Sequence, residues 1–333
     1  MKSYNAINVM RFAAALLVVS NHTYPFIDLS PTLNYFVVDI LSRLTVPFFF
    51  MTSGYFLAVK LGERDSVLQK RGYVRKFALK ILKLYVLWSL VYLPIQAVIW
   101  YVTDGDWLFW KEFVQKFIFA GGYYTLWYIP ALIFASIFSY MLFSYFRPKT
   151  VLFITFLLFA TGTMMQSYYD ILPNKELLSG YYSLFLTTRN GLFFGSFFVC
   201  LGMYLKMRDN NKRFSTNLIM FVLSFLLLCG EVFNMMESDF SKGNGMWFMT
   251  IPTVYFLFSM FKDLQLKNRP IYKRLRPVSF IIYASHGFFI LSLSALFDLN
   301  SLLFFILVFI LSNVFAFALI WSGKKNHYIR QFY

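Results

Sequence analysis

The 333 residues are 59% hydrophobic and 22% aromatic, and only 14% are charged, against about 25% in soluble domains. Forty-three Phe and 23 Tyr are more than a soluble core of this size can cover, so the composition predicts an all-α, polytopic bundle of transmembrane helices. The formal charge of +16 does not point to nucleic acid, because the basic residues lie between apolar runs, where membrane topology accounts for them.

Ten segments have the length and hydropathy of spans: 7–26, 34–59, 81–101, 123–146, 150–166, 183–205, 215–236, 246–261, 278–297 and 301–321. The first contains RFAAALLVVSNH (11–22). Eleven residues at 100° each turn Arg11 and His22 onto one helical face, roughly 16 Å apart along the axis. Lys2, Arg11 and the apolar run imitate a signal peptide, but no A-x-A-like cleavage site follows, and the stretch reads as a first span. A charge near the centre of the bilayer costs about 2.5–3.5 kcal/mol, so each retained one asks for a reason. Arg11 has the option of snorkelling to the inner face, and His22 that of an interfacial hydrogen bond.

The second segment carries Asp39 and Arg43 ahead of VPFFFMTSGYF (46–56). Their spacing of four allows an intrahelical ion pair. The third is preceded by RKFALKILKLY (75–85), whose plain reading is a cytoplasmic anchor. WLFWKEFVQKFIF (107–119) is aromatic and amphipathic, as expected of a helix lying in the interface. LWYIPALI (126–133) belongs to the fourth segment, and TTRNGLFFG, with Arg189 and Asn190, to the sixth. In SFIIYASHGFF of the ninth, Tyr283 and His286 share a face, which leaves a Tyr–His hydrogen bond and chemistry equally open. Cys200 and Cys229 fall in segments that place them at opposite faces, so neither a disulfide nor a metal site is expected.

Charge sets the orientation. With the N-terminus inside, 24 of the 31 Lys and Arg lie in cytoplasmic tails and loops, and the outer loops hold only Lys111, Lys116, Lys175 and Lys242. Ten of the 15 acids lie outside, four inside, and Asp39 is the one assigned to a span. The asymmetry predicts about ten spans with both termini cytoplasmic. Residues 1–333 read as one domain without a Walker A or Rossmann fingerprint.

In this order the pieces resemble the integral-membrane acyltransferase 3 family. The carriers are Arg11 and His22, Ser53-Gly54-Tyr55, Lys80-Ile-Leu-Lys83 in place of the family's R-x-x-R, LWYIPALI and IYASHG (282–287). Within it, the Arg43-x-x-Val-Pro-Phe-Phe-Phe segment, LWYIPALI and TRNGLFF (188–194) are similar to the membrane half of membrane-bound serine racemases from vancomycin-resistance clusters. Those proteins continue into a racemase domain, whereas this sequence stops at Tyr333, so racemization by the chain itself is not expected.

The resemblance implies a bacterial cell-membrane protein that takes an acyl group, most simply acetyl, from cytoplasmic acyl-CoA, without a metal. The acceptor is an extracytoplasmic glycan or other small hydroxyl compound. It implies His22 as catalytic base, near its unperturbed pKa of about 6.5, or briefly as acyl carrier, and Arg11, Lys80, Lys83, Ser53 and Tyr55 on the donor side. Arg43 and Arg189 serve the developing oxyanion, or a carboxylate if the substrate is an amino acid, and Trp127, Asn190, Tyr283 and His286 the acceptor. The alternative is a membrane transport domain for L-serine or a related amino acid, which needs a carboxylate and an ammonium site near the midplane. Asp39 alone is available for the second, and inverted repeats are not evident.

Overall fold

The computed structural model describes residues 4–102, 107–119, 121–172, 175–208, 213–236 and 245–333. Among these the regular structure is helical and no strand occurs. In chain order the helices are α1 (Asn5–Thr23), α2 (Pro31–Tyr35), α3 (Thr45–Gly62), α4 (Val67–Val102), α5 (Trp107–Phe119), α6 (Tyr128–Tyr145), α7 (Pro148–Gln166), α8 (Lys175–Phe185), α9 (Ser196–Arg208), α10 (Phe214–Met236), α11 (Thr250–Asp263), α12 (Pro270–Leu296) and α13 (Ser301–Lys325). Lys2 and Lys242, used above for orientation, lie outside the described residues.

Among the described residues seven helical stretches are long and apolar enough to cross a membrane: 31–62, α4, α6, α7, 214–235, α12 and α13. Helices α1, α9 and α11 stand where the sequence puts three further spans. Two boundaries differ from expectation. Helix α4 begins at Val67, so Lys80 and Lys83 lie well inside it rather than at its start. Nothing in residues 67–80 breaks a helix apart from the lone Gly72, and their charges read as loop only because they are polar. The sixth segment starts at Gly191, not 183, because 183–185 belong to α8 and Asn190 caps the next helix.

The chain divides into two compact units. The first comprises residues 1–46, 211–233 and 249–333. In it α1 runs along α12, and both pack against α13. The small residues Ala14 and Ala15 of α1 and Ala284 of α12 are fully buried, the kind of residue that lets membrane helices approach closely. Helix α1 ends just after His22, where Tyr24 takes a left-handed conformation with φ +50° and its N–H closes on the Ser20 carbonyl. The turn beyond is tied to α13. The Ser301 N–H donates to Asp28 Oδ2 at 2.7 Å and its hydroxyl to the Pro25 carbonyl at 3.1 Å. The first of these bonds holds the Asp28 carboxyl below the usual carboxylate range.

The second unit comprises residues 47–210 and 234–248. Here α4 packs on α6, α6 on α9 and α9 on α7. Much of the aromatic content fills this core. Phe50 stands 4.7 Å from the Tyr128 ring, and Phe159 lies 5.3 and 5.5 Å from Phe197 and Phe198. Helices α3 and α9 meet backbone to backbone: a Cβ at Gly54 would lie 2.1 Å from the Val199 carbonyl oxygen, and one at Gly202 2.0 Å from that of Met51.

Candidate functional site

In the first unit the candidate residues gather around α1. Arg11 and His22 share this one uninterrupted helix, which fixes them on one face as their spacing requires. His22 lies in the last turn, whose carbonyls favour a positive charge. It is half-buried, whereas His286 on α12 is completely enclosed. The two imidazole rings face each other with centroids 5.3 Å apart and planes inclined by 31°. No local spacing could have signalled this contact, because the partners are 264 positions apart in the chain.

His286 does not use the Tyr283 hydroxyl, one of the two readings that the sequence left open. Its Nδ1 donates instead to the main-chain carbonyls of Tyr283 at 2.7 Å and Ile282 at 3.2 Å. The rings of Tyr283 and His286 remain neighbours, 6.2 Å apart. Next to His22 on α1, Asn21 Oδ1 accepts from the Ser42 hydroxyl at 3.1 Å. That serine opens a 3-10 turn (Ser42–Leu44) that follows a π-helical turn (Phe36–Leu41). Wide turns of this kind recur at functional sites. Asp39 and Arg43 form the ion pair that their spacing allows, Nη2 to Oδ1 at 2.7 Å, and Arg43 Nε has no hydrogen-bond partner among the described residues.

One assignment needs correction. Glu231, placed above among the outer acids, lies within α10 and accepts the Met249 N–H at 2.7 Å. Asp39 is therefore not alone in a span-length helix. The 215–236 segment already contains this glutamate, so the acid count, not the span, is what changes.

In the second unit Ser53 and Tyr128 hydroxyls meet at 3.2 Å. Tyr55 is buried, and its ring abuts Phe56. Trp127 is half-buried between Phe50 and Phe194, with centroids at 6.3 and 6.1 Å. Lys80 and Lys83 are exposed on α4, together with Lys76. Positions i, i+4 and i+7 put the three ammonium groups on one stripe.

Arg189 lies in a loop, not within a span. A Cβ on Gly245, whose φ is +155°, would come 3.0 Å from Arg189 Cδ and 3.1 Å from Nη1. The loop is built by its neighbours. Asn190 Oδ1 accepts the N–H groups of Leu192 and Phe193, and its amide nitrogen donates to the Tyr181 hydroxyl at 2.9 Å and the Thr187 carbonyl at 3.1 Å. Gln166 Oε1 takes the Thr188 N–H at 3.3 Å and lies 3.1 Å from the buried Thr188 hydroxyl. Gln166, Thr188, Tyr181 and Gly245 were not singled out in the sequence. The Asn ahead of an apolar run was an available capping signal.

A family profile described as an acyltransferase domain, Acyl_transf_3, matches residues 4–321. The chain belongs to this acyltransferase family. It is a multi-pass membrane protein of the acyltransferase type. It is 31% identical over 272 residues to an amino-acid racemase of Enterococcus faecalis, covering 80% of this chain and 37% of that protein. A second amino-acid racemase of the same organism is 29% identical, with 98% of this chain and 47% of the relative covered. A serine/alanine racemase of Enterococcus gallinarum is 28% identical, with 97% and 47% covered. The chain thus spans less than half the length of these curated relatives. No solved structure matches it. Among the described residues no group of three His, Cys, Asp or Glu is placed to hold a metal ion, and both cysteines are free thiols.

Proposed function

We propose that this acyltransferase-family chain moves an acyl group, most simply acetyl, from cytoplasmic acyl-CoA to an extracytoplasmic hydroxyl acceptor at a bacterial cell membrane. The observation that carries the reading is the half-buried imidazole of His22 at the end of α1, backed by a second, enclosed imidazole. A side chain in that setting is equipped to take a proton from an alcohol. Bound acyl-CoA would supply the acyl group as a thioester. The exposed Lys76–Lys80–Lys83 stripe fits its phosphates by charge, though without the bidentate geometry of arginine. His22 removes the acceptor's hydroxyl proton as the new oxygen–carbon bond forms, and returns it to the departing sulfur. Arg43, in the same unit as His22 and with Nε uncommitted, is suited to the oxyanion between those two events.

Transport of L-serine or a related amino acid is the second reading. It gains from Glu231, a second acid in a span-length helix of the unit that holds the Arg43–Asp39 pair. Turnover of acetyl-CoA by the purified protein, set against uptake of labelled serine into proteoliposomes, separates the two. Uptake without turnover would remove the acyltransferase reading.

Two predictions belong here. Lys80→Ala combined with Lys83→Ala should weaken protection by CoA against heat unfolding while expression stays normal, because ligand stabilisation follows RT ln(1 + [L]/Kd). Undiminished protection in the double variant takes these lysines out of the donor site. For the ten-span topology, reporter fusions at residues 175 and 270 should score outside and inside respectively. The same score at both would end it.

A further inference from the structure

His286 is enclosed on every side, yet only one of its two ring nitrogens is used. Carbonyl oxygens only accept hydrogen bonds, so the Nδ1 that lies against the Tyr283 and Ile282 carbonyls carries the proton. Nε2 is then a bare acceptor. It is buried without a hydrogen-bond partner among the described residues, an unfavourable state for a polar atom. The His22 ring lies next to this ring, centroid to centroid 5.3 Å, a separation that an N–H···N bond between two imidazoles spans.

We propose that His286 is the positioning residue of a histidine pair: its Nε2 accepts the N–H of His22 once an acceptor docks. This rests on the reading of His22 as base. Accepting that N–H fixes the tautomer of His22 and turns its other nitrogen, lone pair outward, toward the incoming hydroxyl. When His22 takes the hydroxyl proton, the resulting imidazolium is held by the same bond. His286 neither gains nor loses a proton in the cycle. The two backbone carbonyls keep its Nδ1–H in place, so Nε2 stays an acceptor throughout.

Two substitutions separate this role from a merely structural one. His286→Asn retains a nitrogen near Nδ1 for the backbone carbonyls and removes the atom at Nε2. His286→Gln does the reverse, placing an amide oxygen or nitrogen near Nε2. We expect kcat for acetyl transfer to fall by about 10²-fold in the Asn variant and to stay within about tenfold in the Gln variant, with both KM values little changed. The opposite order overturns the proposal, because it makes the backbone bond the only one that matters.

A spectroscopic readout needs no turnover. The chain has three histidines, His22, His286 and His327, so nitrogen-15 histidine spectra of the detergent-solubilised protein are fully assignable. In the wild type with a hydroxyl acceptor such as glycerol in excess, His22 should show a single tautomer. In His286→Asn its two nitrogens should average as in free imidazole. A wild-type His22 already averaged, or one unaffected by the substitution, disproves the pairing even if neither variant folds well enough for kinetics. If instead His22→Gln keeps acetyl transfer while the pairing shifts are seen, the base reading fails and the pair stands.

Discussion

His22→Gln should cut acyl transfer by about 10²-fold or more, the usual contribution of a positioned general base. The fold should survive, because the residue is only half-buried and sits in the last turn of α1, which is already closed by the Tyr24 N–H to the Ser20 carbonyl. An amide at this position still offers a hydrogen bond but cannot carry a proton between alcohol and thiolate near neutral pH. Heat protection by CoA should be unchanged, since the lysines expected to hold its phosphates are on α4. A transport domain that uses His22 for packing alone would show near-normal uptake in the same variant. Full acyltransferase activity in His22→Gln would falsify the assignment.

The largest expected loss of stability comes from a single methyl group. Gly54→Ala would put Cβ 2.1 Å from the Val199 carbonyl oxygen, and Gly202→Ala would put one 2.0 Å from that of Met51. Both obstacles are backbone, so no side chain can rotate away, and α3 and α9 must move apart. Overpacking of this kind typically costs about 1–3 kcal/mol, occasionally more. Separation of the helices would also disturb the neighbouring Ser53–Tyr128 contact. Gly62 provides the control within α3, because an added Cβ there meets nothing within 4 Å. Gly62→Ala should alter stability by no more than about 0.5 kcal/mol. Thermal unfolding in one detergent compares the three, and equal midpoints for Gly54→Ala and Gly62→Ala would show that the close approach carries no weight.

These results bear on what a sequence of this kind discloses. Apolar runs are set by the solvent they face, so the spans of α6, α7, α10 and α13 were legible to within a few residues. Arg11 with His22 and Asp39 with Arg43 were legible too, because each pair sits on one helix, where spacing alone fixes geometry. The facing of His22 and His286 depends on how α1 and α12 pack, which no local period encodes. Ser53-Gly54-Tyr55 could be recognised as a unit, but its division of labour could not. The serine meets a tyrosine of α6, the glycine admits α9, and the tyrosine fills the core. The loop around Arg189 was placed inside a span, and Glu231 was counted outside although its segment contains it. Hydropathy averages over a window, and single polar residues that satisfy a particular backbone group vanish in the average.

Helix α4 has 36 residues, about 54 Å at 1.5 Å per residue, whereas the hydrocarbon of a bilayer is about 30 Å thick. The uncharged stretch from Leu84 to Val102 is matched to that thickness, so the helix leaves the oil just where its lysines begin. Lys76, Lys80 and Lys83 therefore stand at the depth of lipid phosphates, within a layer where anionic headgroups attract each basic side chain by about 1 kcal/mol. A soluble donor that reaches the same ammonium groups with its own phosphates must displace lipid from them. Its apparent affinity then belongs to protein and membrane together, weaker in a bilayer rich in anionic lipid and stronger in a neutral one.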